Sequence, residues 1–228
     1  PNDMSFNPFV GYAPFETMSD EQKLSFGWHY QAWTLSQFLH GEQGALLVAS
    51  QLVSCAPTFD AKLYASSQTF DEARHVETFN RYIQEKIQIM YPITPHLKSL
   101  IDKVLSDARW DLKFIGMQIV IEGLALAAFN TMRLTCLDPL LKDLIYLVTR
   151  DEARHVTFGV NYLEYIVKHL SPAEIEERAQ FAYEACVVMR ERLIATEVFA
   201  EFGWDVEAAR KHMLESSVMQ YFNKFLFT

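Results

Sequence analysis

The hydrophobic and polar positions of the chain describe long helices that are interrupted at prolines and cap residues, which predicts an all-α fold. Ser19, followed by two acids, predicts the start of a first long helix that ends near Ala56, before Pro57. No stretch alternates for long enough to predict a strand. Further helices are predicted over residues 58–90, 96–107, 109–135, 139–169 and 171–202, and from residue 205 onward.

The four longest segments before residue 170 predict a four-helix bundle, to which C-terminal helices are added. Because no low-complexity linker divides the chain, we predict a single domain over residues 1–228. Within it we expect an irregular N-terminal arm (1–18), a metal-binding core (19–169) and accessory helices (170–228).

Composition narrows the range of partners. The formal net charge of −9 argues against nucleic acid or an anionic membrane as a partner. Three cysteines without CxxC spacing and no recognisable signal peptide predict a reduced, cytoplasmic protein. The most apolar run, residues 114–129, is short for a bilayer span and contains Gln118 and Glu122, so we predict a buried helix and no membrane span.

A six-residue word, DEARHV, occurs at residues 71–76 and again at 151–156. Stepping back 30 residues from the Glu of each copy reaches Glu42 and Glu122, which are themselves 80 apart. A pattern of one Glu followed by Glu-x-x-His therefore occurs twice in register. The polar letters repeat better than the apolar ones, which favours shared chemistry over shared packing.

This spacing predicts a metal site. The Glu and the His of each Glu-x-x-His are three residues apart and share a helix face. If the preceding helix is antiparallel to that helix, its lone Glu can lie next to this pair. Four ionised carboxylates in an apolar interior would repel one another and lose their hydration. Two divalent cations balance that charge, and carboxylate oxygen with imidazole nitrogen suits iron or manganese. The predicted ligands are Glu42, Glu72, His75, Glu122, Glu152 and His155.

Purely structural interpretations compete with the metal site. A single Glu-x-x-His is most often a solvated helix face, and Glu122 has structural partners available in Arg133 or Lys113. The glycines beside Glu42 also suit a surface turn. The remaining histidines lack a partner pattern and are interpreted as surface or satisfied side chains.

The ligand pattern resembles that of the ferritin-like di-iron carboxylate superfamily, in which two helices give one Glu each and two give Glu-x-x-His. The resemblance covers residues 41–161. It implies an O2-activating oxidase or oxygenase with two iron ions, or a manganese–iron pair, and O2 as co-substrate. The stretches VIEGLALAAFN and DEARHVTFG also resemble motifs of aldehyde-deformylating oxygenases.

In such relatives, the Asp before the second Glu binds the ligating His of the other half. The resemblance gives that role to Asp71 and Asp151, where it would fix the imidazole tautomer. Arg74 and Arg154 are placed to pair with these acids.

Two other functions use similar ligands. Bacterioferritin-like iron storage resembles this set, but about 58 residues follow Leu170, which suits a covered substrate pocket better. The small subunit of class I ribonucleotide reductase, or a related manganese–iron oxidase, carries a Tyr where this chain has Phe79 and usually an Asp where it has Glu42.

Comparison with sub-families suggests substrate-pocket positions. Arylamine N-oxygenases add a His where this chain has Val148, which argues against that activity. Multicomponent monooxygenases carry a Thr where this chain has Leu126, and the aliphatic side chain predicts a dry pocket and an apolar, chain-like or small substrate. Phe79, Leu126 and Val148 are the predicted pocket residues. No flavin or nicotinamide motif is present, so we expect a separate reductase; a homodimer is compatible with the terminal helices.

Overall fold

The computed structural model of the protein describes residues 7–220, which are helical and contain no β-strand, so the all-α prediction is confirmed. Two hairpins form the bundle: α2 packs along α3, and α6 packs along α7. The elements are α1 (Ala13–Glu16), α2 (Asp20–Cys55), α3 (Phe59–Tyr82) continued by the π-helical segment π1 (Ile83–Ile87), α4 (Pro95–Ser106), α5 (Trp110–Lys113) continued by π2 (Phe114–Ile121) and α6 (Glu122–Thr135), α7 (Pro139–Val167), α8 (Pro172–Arg192), α9 (Thr196–Glu201) and α10 (Val206–Glu215).

The cap residues that the sequence predicts do begin the helices. The Ser19 hydroxyl accepts a hydrogen bond from the Gln22 backbone N–H at 3.2 Å, and the Gln22 side chain accepts one from the Ser19 N–H at 2.9 Å. This capping box satisfies two amide donors that would otherwise lack partners. Asp138 accepts from the Leu140 N–H at 2.8 Å at the start of α7, and Ser171 forms a second capping box at the start of α8.

The predicted helix over residues 171–202 is wrong in one respect, because α8 ends at Arg192 and α9 begins only at Thr196. The physical reason is a change of buried face. Ile194, two residues beyond Arg192, is buried, although a continuous helix would place it on the opposite side. The break lets both sets of side chains reach the core. The buried face of α8 comprises Phe181, Ala185, Met189 and Arg192.

The described part of the predicted N-terminal arm packs against the C-terminal helices. Residues 13–16 form one helical turn, and Phe9 is buried. The ring of Phe9 meets Phe26 edge-on at 5.1 Å between centroids, and it meets Trp204 at 5.5 Å. Residues 1–6 of the arm and 221–228 of the accessory segment lie outside the described residues.

The helix from Trp110 to Thr135 is long and apolar enough to cross a membrane by length and composition alone, with a mean hydropathy of 1.7. It extends beyond the 16-residue apolar run, but 61% of its most apolar stretch is buried inside the protein. It lies against α7 and α8, and its π-helical segment ends directly before Glu122. π-Helical turns within α-helices frequently occur at functional sites.

Candidate metal centre

The bundle interior brings together the six side chains that the repeat singles out. Each hairpin contributes three of them, one lone Glu and one Glu-x-x-His, and the side chains point into the space between the hairpins. None is more than 6% exposed. The six residues are Glu42, Glu72, His75, Glu122, Glu152 and His155.

These side chains form two overlapping groups that share Glu72 and Glu152. The first adds Glu42 and His75, and the second adds Glu122 and His155. Within each group the potential ligand atoms lie within 4.8 Å of one another. Glu72 and Glu152 would therefore serve as ligands in both groups if the centre held two metal ions.

Short contacts define the two groups further. His75 Nδ1 lies 3.2 Å from Glu42 Oε2 and 3.0 Å from Glu152 Oε1. His155 Nδ1 lies 3.1 Å from Glu72 Oε1 and 4.0 Å from a Glu122 oxygen. Both imidazoles thus direct Nδ1 toward the carboxylates, which leaves Nε2 for a second partner.

The chemistry of the donor set fits two metal ions. Glu122 Oε2, which lies 4.0 Å from His155 Nδ1, lacks a hydrogen-bond partner among the described residues. The buried atoms Glu72 Oε2, Glu152 Oε1 and His155 Nδ1 contact other side chains of the same predicted ligand set. Burying such atoms without a partner is unfavourable, and buried charges in proteins are paired or coordinate metals. Oxygen and imidazole ligands without thiolate suit iron or manganese.

Without metal, this crowding of acids perturbs the proton affinities. Burial, followed by repulsion from Glu152, raises the pKa of Glu42 well above its usual range, and the same two causes raise the pKa of Glu122. Burial also opposes ionisation of Glu72, but hydrogen bonds from the two imidazoles outweigh it and lower its pKa. Burial lowers the pKa of His155, yet hydrogen bonds to Glu152 and Glu72 raise it to about 11. Protons therefore take the place of cations in the metal-free centre.

The two aspartates of the repeated word contact the imidazoles of the opposite half. His75 Nε2 is 3.3 Å from Asp151 Oδ2, and His155 Nε2 is 3.3 Å from Asp71 Oδ2. Each carboxylate is placed to accept the Nε2–H, so that Nδ1 would be free to bind a metal ion once its own proton is displaced. The crossed arrangement joins the two hairpins.

The repeated arginines complete this outer layer. Arg74 donates to Asp71 at 2.9 Å and also to Asp151, while Arg154 donates to Asp151 at 2.7 Å and to Asp71 at 3.2 Å. Both guanidinium groups are about half exposed. They therefore close the solvent side of the centre and pair with both aspartates.

Replacing Asp71 or Asp151 by Asn should lower the affinity for Fe(II) by about 10- to 100-fold, because each imidazole loses its anionic acceptor. Competition with a chromophoric chelator measures this affinity. Asp143→Asn, at an exposed position on α7, is the matched control and should bind iron like the original protein. Equal affinity in all variants would contradict a supporting role for these acids.

Two buried glutamines also belong to the centre, and the sequence analysis missed them. Gln68 Nε2 donates to Glu72 Oε1 at 3.0 Å and to Glu122 Oε1 at 2.9 Å. Gln118 Nε2 donates in turn to Gln68 Oε1 at 3.2 Å. Their spacing in the sequence could have identified them, because Gln68 and Gln118 each precede a predicted ligand by four residues and so share its helix face. The amides orient one oxygen of each carboxylate and leave the other free.

A cavity adjoins the centre. A small space of about 20 Å³ lies beside Glu42, Glu122 and Glu152, and a larger cavity of about 160 Å³ lies farther along α2. Phe38 and Arg192 line both of them. The larger cavity is mostly apolar, and its lining includes Tyr30, Trp33, Met132, Met213 and Met219.

The predicted pocket residues do not line these two cavities. Phe79 and Val148 are buried in the apolar core, where Phe79 stacks on Phe129 at 6.0 Å. Ala125, and not Leu126, faces the smaller space together with Phe129. Positions three and four residues after Glu122 share a helix face, so the sequence alone does not separate them.

Comparison with known proteins identifies the chain's relatives. The family model described as p-aminobenzoate N-oxygenase AurF matches residues 3–227, and no curated protein matches. The argument from Val148 against the N-oxygenases is therefore wrong at the level of family; the residue at that position is an apolar core side chain. The match extends over nearly the whole chain. The chain belongs to the p-aminobenzoate N-oxygenase AurF family of ferritin-like proteins and is an O2-dependent di-iron oxidoreductase.

Proposed function

We propose that Glu42, Glu72, His75, Glu122, Glu152 and His155 hold two iron ions with which the protein oxidises a small organic substrate. The observation that carries this proposal is the pair of overlapping ligand groups, with Glu72 and Glu152 common to both. Bound iron supplies the electrons that activate O2. The protein's own residues fix the ligands, exclude water and position the substrate.

The residues that surround the predicted ligands support this division of roles between the iron ions and the protein. Asp71 and Asp151 hold the imidazoles from one side, and Gln68 holds two of the carboxylates. Phe38 and Phe129 line the small space beside Glu42, Glu122 and Glu152. These aromatic rings would limit the access of water to the centre.

The substrate we propose has a largely apolar body, aromatic or aliphatic, that occupies the larger cavity. Aromatic rings and methionine side chains dominate its lining, and such surfaces accommodate apolar ligands of varied shape. The family description names p-aminobenzoate, which makes small aromatic amines the first compounds to test. Ala125 takes the specificity role that the sequence analysis gave to Leu126, because it faces the space next to Glu122.

We further propose that residues 170–228 belong to the same domain as the bundle, and that the described part of this segment, up to residue 220, covers the substrate cavity. Arg192 and Leu193 at the end of α8, Met213 on α10 and Met219 all line it. Electrons for repeated turnover come, in this proposal, from a separate reductase, since no flavin or nicotinamide motif occurs in the chain.

Reconstitution with Fe(II) under anaerobic conditions, followed by O2, tests the function. We expect about two iron ions per chain and an O2 uptake that stops at a fixed ratio to iron. With a chemical reductant and p-aminobenzoate, or another small apolar amine, O2 uptake should continue and an oxygenated product should appear. Growth of an iron mineral well beyond two ions per chain, with no substrate-dependent O2 uptake, would contradict an oxygenase.

A further inference from the structure

The two halves of the centre carry the same ligands but different neighbours. The 80-residue offset of the repeat makes Gln68 correspond to Val148, and Phe38 correspond to Gln118. Gln118 donates a hydrogen bond to Gln68, which in turn donates to Glu122 at 2.9 Å. Val148 and Phe38 belong to an apolar cluster, and their side chains offer no hydrogen-bond donor to a ligand. Both buried amides therefore serve the same half of the centre.

A further pair of corresponding positions accommodates this difference. Gly159 in the second half corresponds to Phe79 in the first. A Cβ atom at Gly159 would lie 2.7 Å from the Cβ of Gln118, so a larger residue there would displace the glutamine. Phe79 instead packs against Phe38, with 6.0 Å between the ring centroids. The glutamine–glycine pair of one half thus occupies the positions of an aromatic pair in the other.

The two lone glutamates are held differently as a result. Gln68 orients Glu122 through Oε1, and Oε2 of Glu122 has no hydrogen-bond partner among residues 7–220. Oε2 of Glu42, in contrast, lies 3.2 Å from Nδ1 of His75. A metal ion can therefore bind Glu122 through an oriented oxygen that is free. Binding through Oε2 of Glu42 requires the contact with His75 to break.

A positive charge lies on the side of Glu42. Arg192 is buried, and its Nη2 comes within 3.9 Å of the position that a Cβ atom at Gly41 would occupy. Burial lowers the pKa of Arg192 to about 10, while the negative charge of Glu42 opposes that shift, so the guanidinium is charged at neutral pH. A fixed positive charge near Glu42 weakens the binding of a cation by that carboxylate.

We propose that the two metal positions differ in affinity and that the ligand group with Glu122 and His155 fills first, with Gln68 as its positioning residue. This inference rests on the proposed function and adds the order in which its two ions bind. Gln68 acts through the carboxylate that it orients, and Gln118 acts through Gln68. Removing such a hydrogen-bond donor from a metal ligand typically lowers the affinity by about 10- to 100-fold.

Titration of the metal-free protein with Mn(II) tests the order. Electron paramagnetic resonance (EPR) detects unbound aqueous Mn(II) and so measures the affinity of each step without turnover. We expect two steps, the first at least about tenfold tighter than the second. Glu42→Gln should keep the tight step, and Glu122→Gln should lose it. The reverse result would overturn the proposed order.

Gln68→Leu tests the positioning role. It should weaken the first step by about tenfold or more and leave the second within about threefold. Only this substitution, and not Val148→Ala at the corresponding position of the other half, should alter the EPR spectrum of the first bound Mn(II). Val148→Ala perturbs the packing and should leave the ratio of the two affinities unchanged. Equal weakening of both steps by Gln68→Leu, or an equal change of the ratio by Val148→Ala, would overturn the role of Gln68.

A second variant keeps the test decisive if Gln68→Leu does not fold, which circular dichroism shows. Gln118→Met should weaken the first step less than Gln68→Leu does, and it should add no further loss to Gln68→Leu, because Gln118 acts through the other amide. An unchanged first step in a folded Gln118→Met protein would contradict the amide pair.

The remaining outcomes separate this inference from the proposed function. Equal affinities in the original protein overturn the order of binding, but two bound iron ions and substrate-dependent O2 uptake would leave the oxygenase standing. Unequal steps that depend on Gln68, in an iron-loaded protein that consumes no O2, would support the order and contradict the oxygenase. A folded protein that binds no Mn(II) would contradict both.

Discussion

Replacing Glu152 by Gln should leave the protein folded but almost free of bound iron, with O2 uptake lost. Glu152 is common to both ligand groups, so the substitution removes a negative charge from each. The amide keeps the size of the side chain, and one fewer acid reduces the repulsion that raises the pKa of Glu42 and Glu122. We expect the affinity for Fe(II) to fall by more than about 100-fold, beyond the effect of an outer-layer change.

Two further variants sharpen this experiment. Glu42 belongs to one group only, so Glu42→Gln should retain about one iron ion per chain. Glu164→Gln, at an exposed position on the same helix as Glu152, should retain both ions and full O2 uptake. Metal analysis after gel filtration gives the stoichiometry. Full iron loading of Glu152→Gln would show that the shared carboxylate does not bind metal.

The ligand set could be predicted from the sequence because its geometry is local. Glu-x-x-His places two side chains on one face of any α-helix, and the 80-residue repeat shows that two hairpins do so in register. The contacts of Asp71 and Asp151 with the opposite histidines follow from the same repeat. Predicting which side chains meet at fixed helical spacing requires no knowledge of tertiary packing beyond the pairing of the hairpins.

The substrate side of the centre could not be predicted in this way, because it depends on long-range packing. Whether Ala125 or Leu126 faces the cavity depends on the rotation of α6 about its axis. That rotation is set in part by the π-helical segment directly before α6, and the apolar sequence of residues 114–121 does not reveal this segment. Arg192 looks like an ordinary arginine in a predicted helix over 171–202. Its burial follows from its place three residues after Met189 on the face of α8 that packs inward, which the sequence does not distinguish from an exposed face.

Metal binding should stabilise the protein increasingly as the pH rises from 5.5 to 8. In the metal-free protein, the pKa values of Glu42, Glu122 and His155 are raised above those of the unfolded chain. The folded state then binds more protons than the unfolded state, so the free energy of unfolding falls as the pH rises through this range. The lowered pKa of Glu72 acts in the opposite sense, but only below about pH 4.3.

Metal ions reverse this dependence, because they require deprotonated ligands and displace the bound protons. Each displaced proton adds about 1.4 kcal/mol of metal-binding free energy per pH unit. Thermal unfolding of chelator-treated and Mn(II)-loaded protein at pH 5.5, 6.5 and 7.5 measures the difference in Tm, and pH recording in a weakly buffered titration measures the released protons. His155→Ala removes one proton-binding ligand, so its difference in Tm should be smaller and less dependent on pH. If the difference stays constant or narrows toward pH 7.5 in the original protein, then protons do not occupy the centre in place of metal.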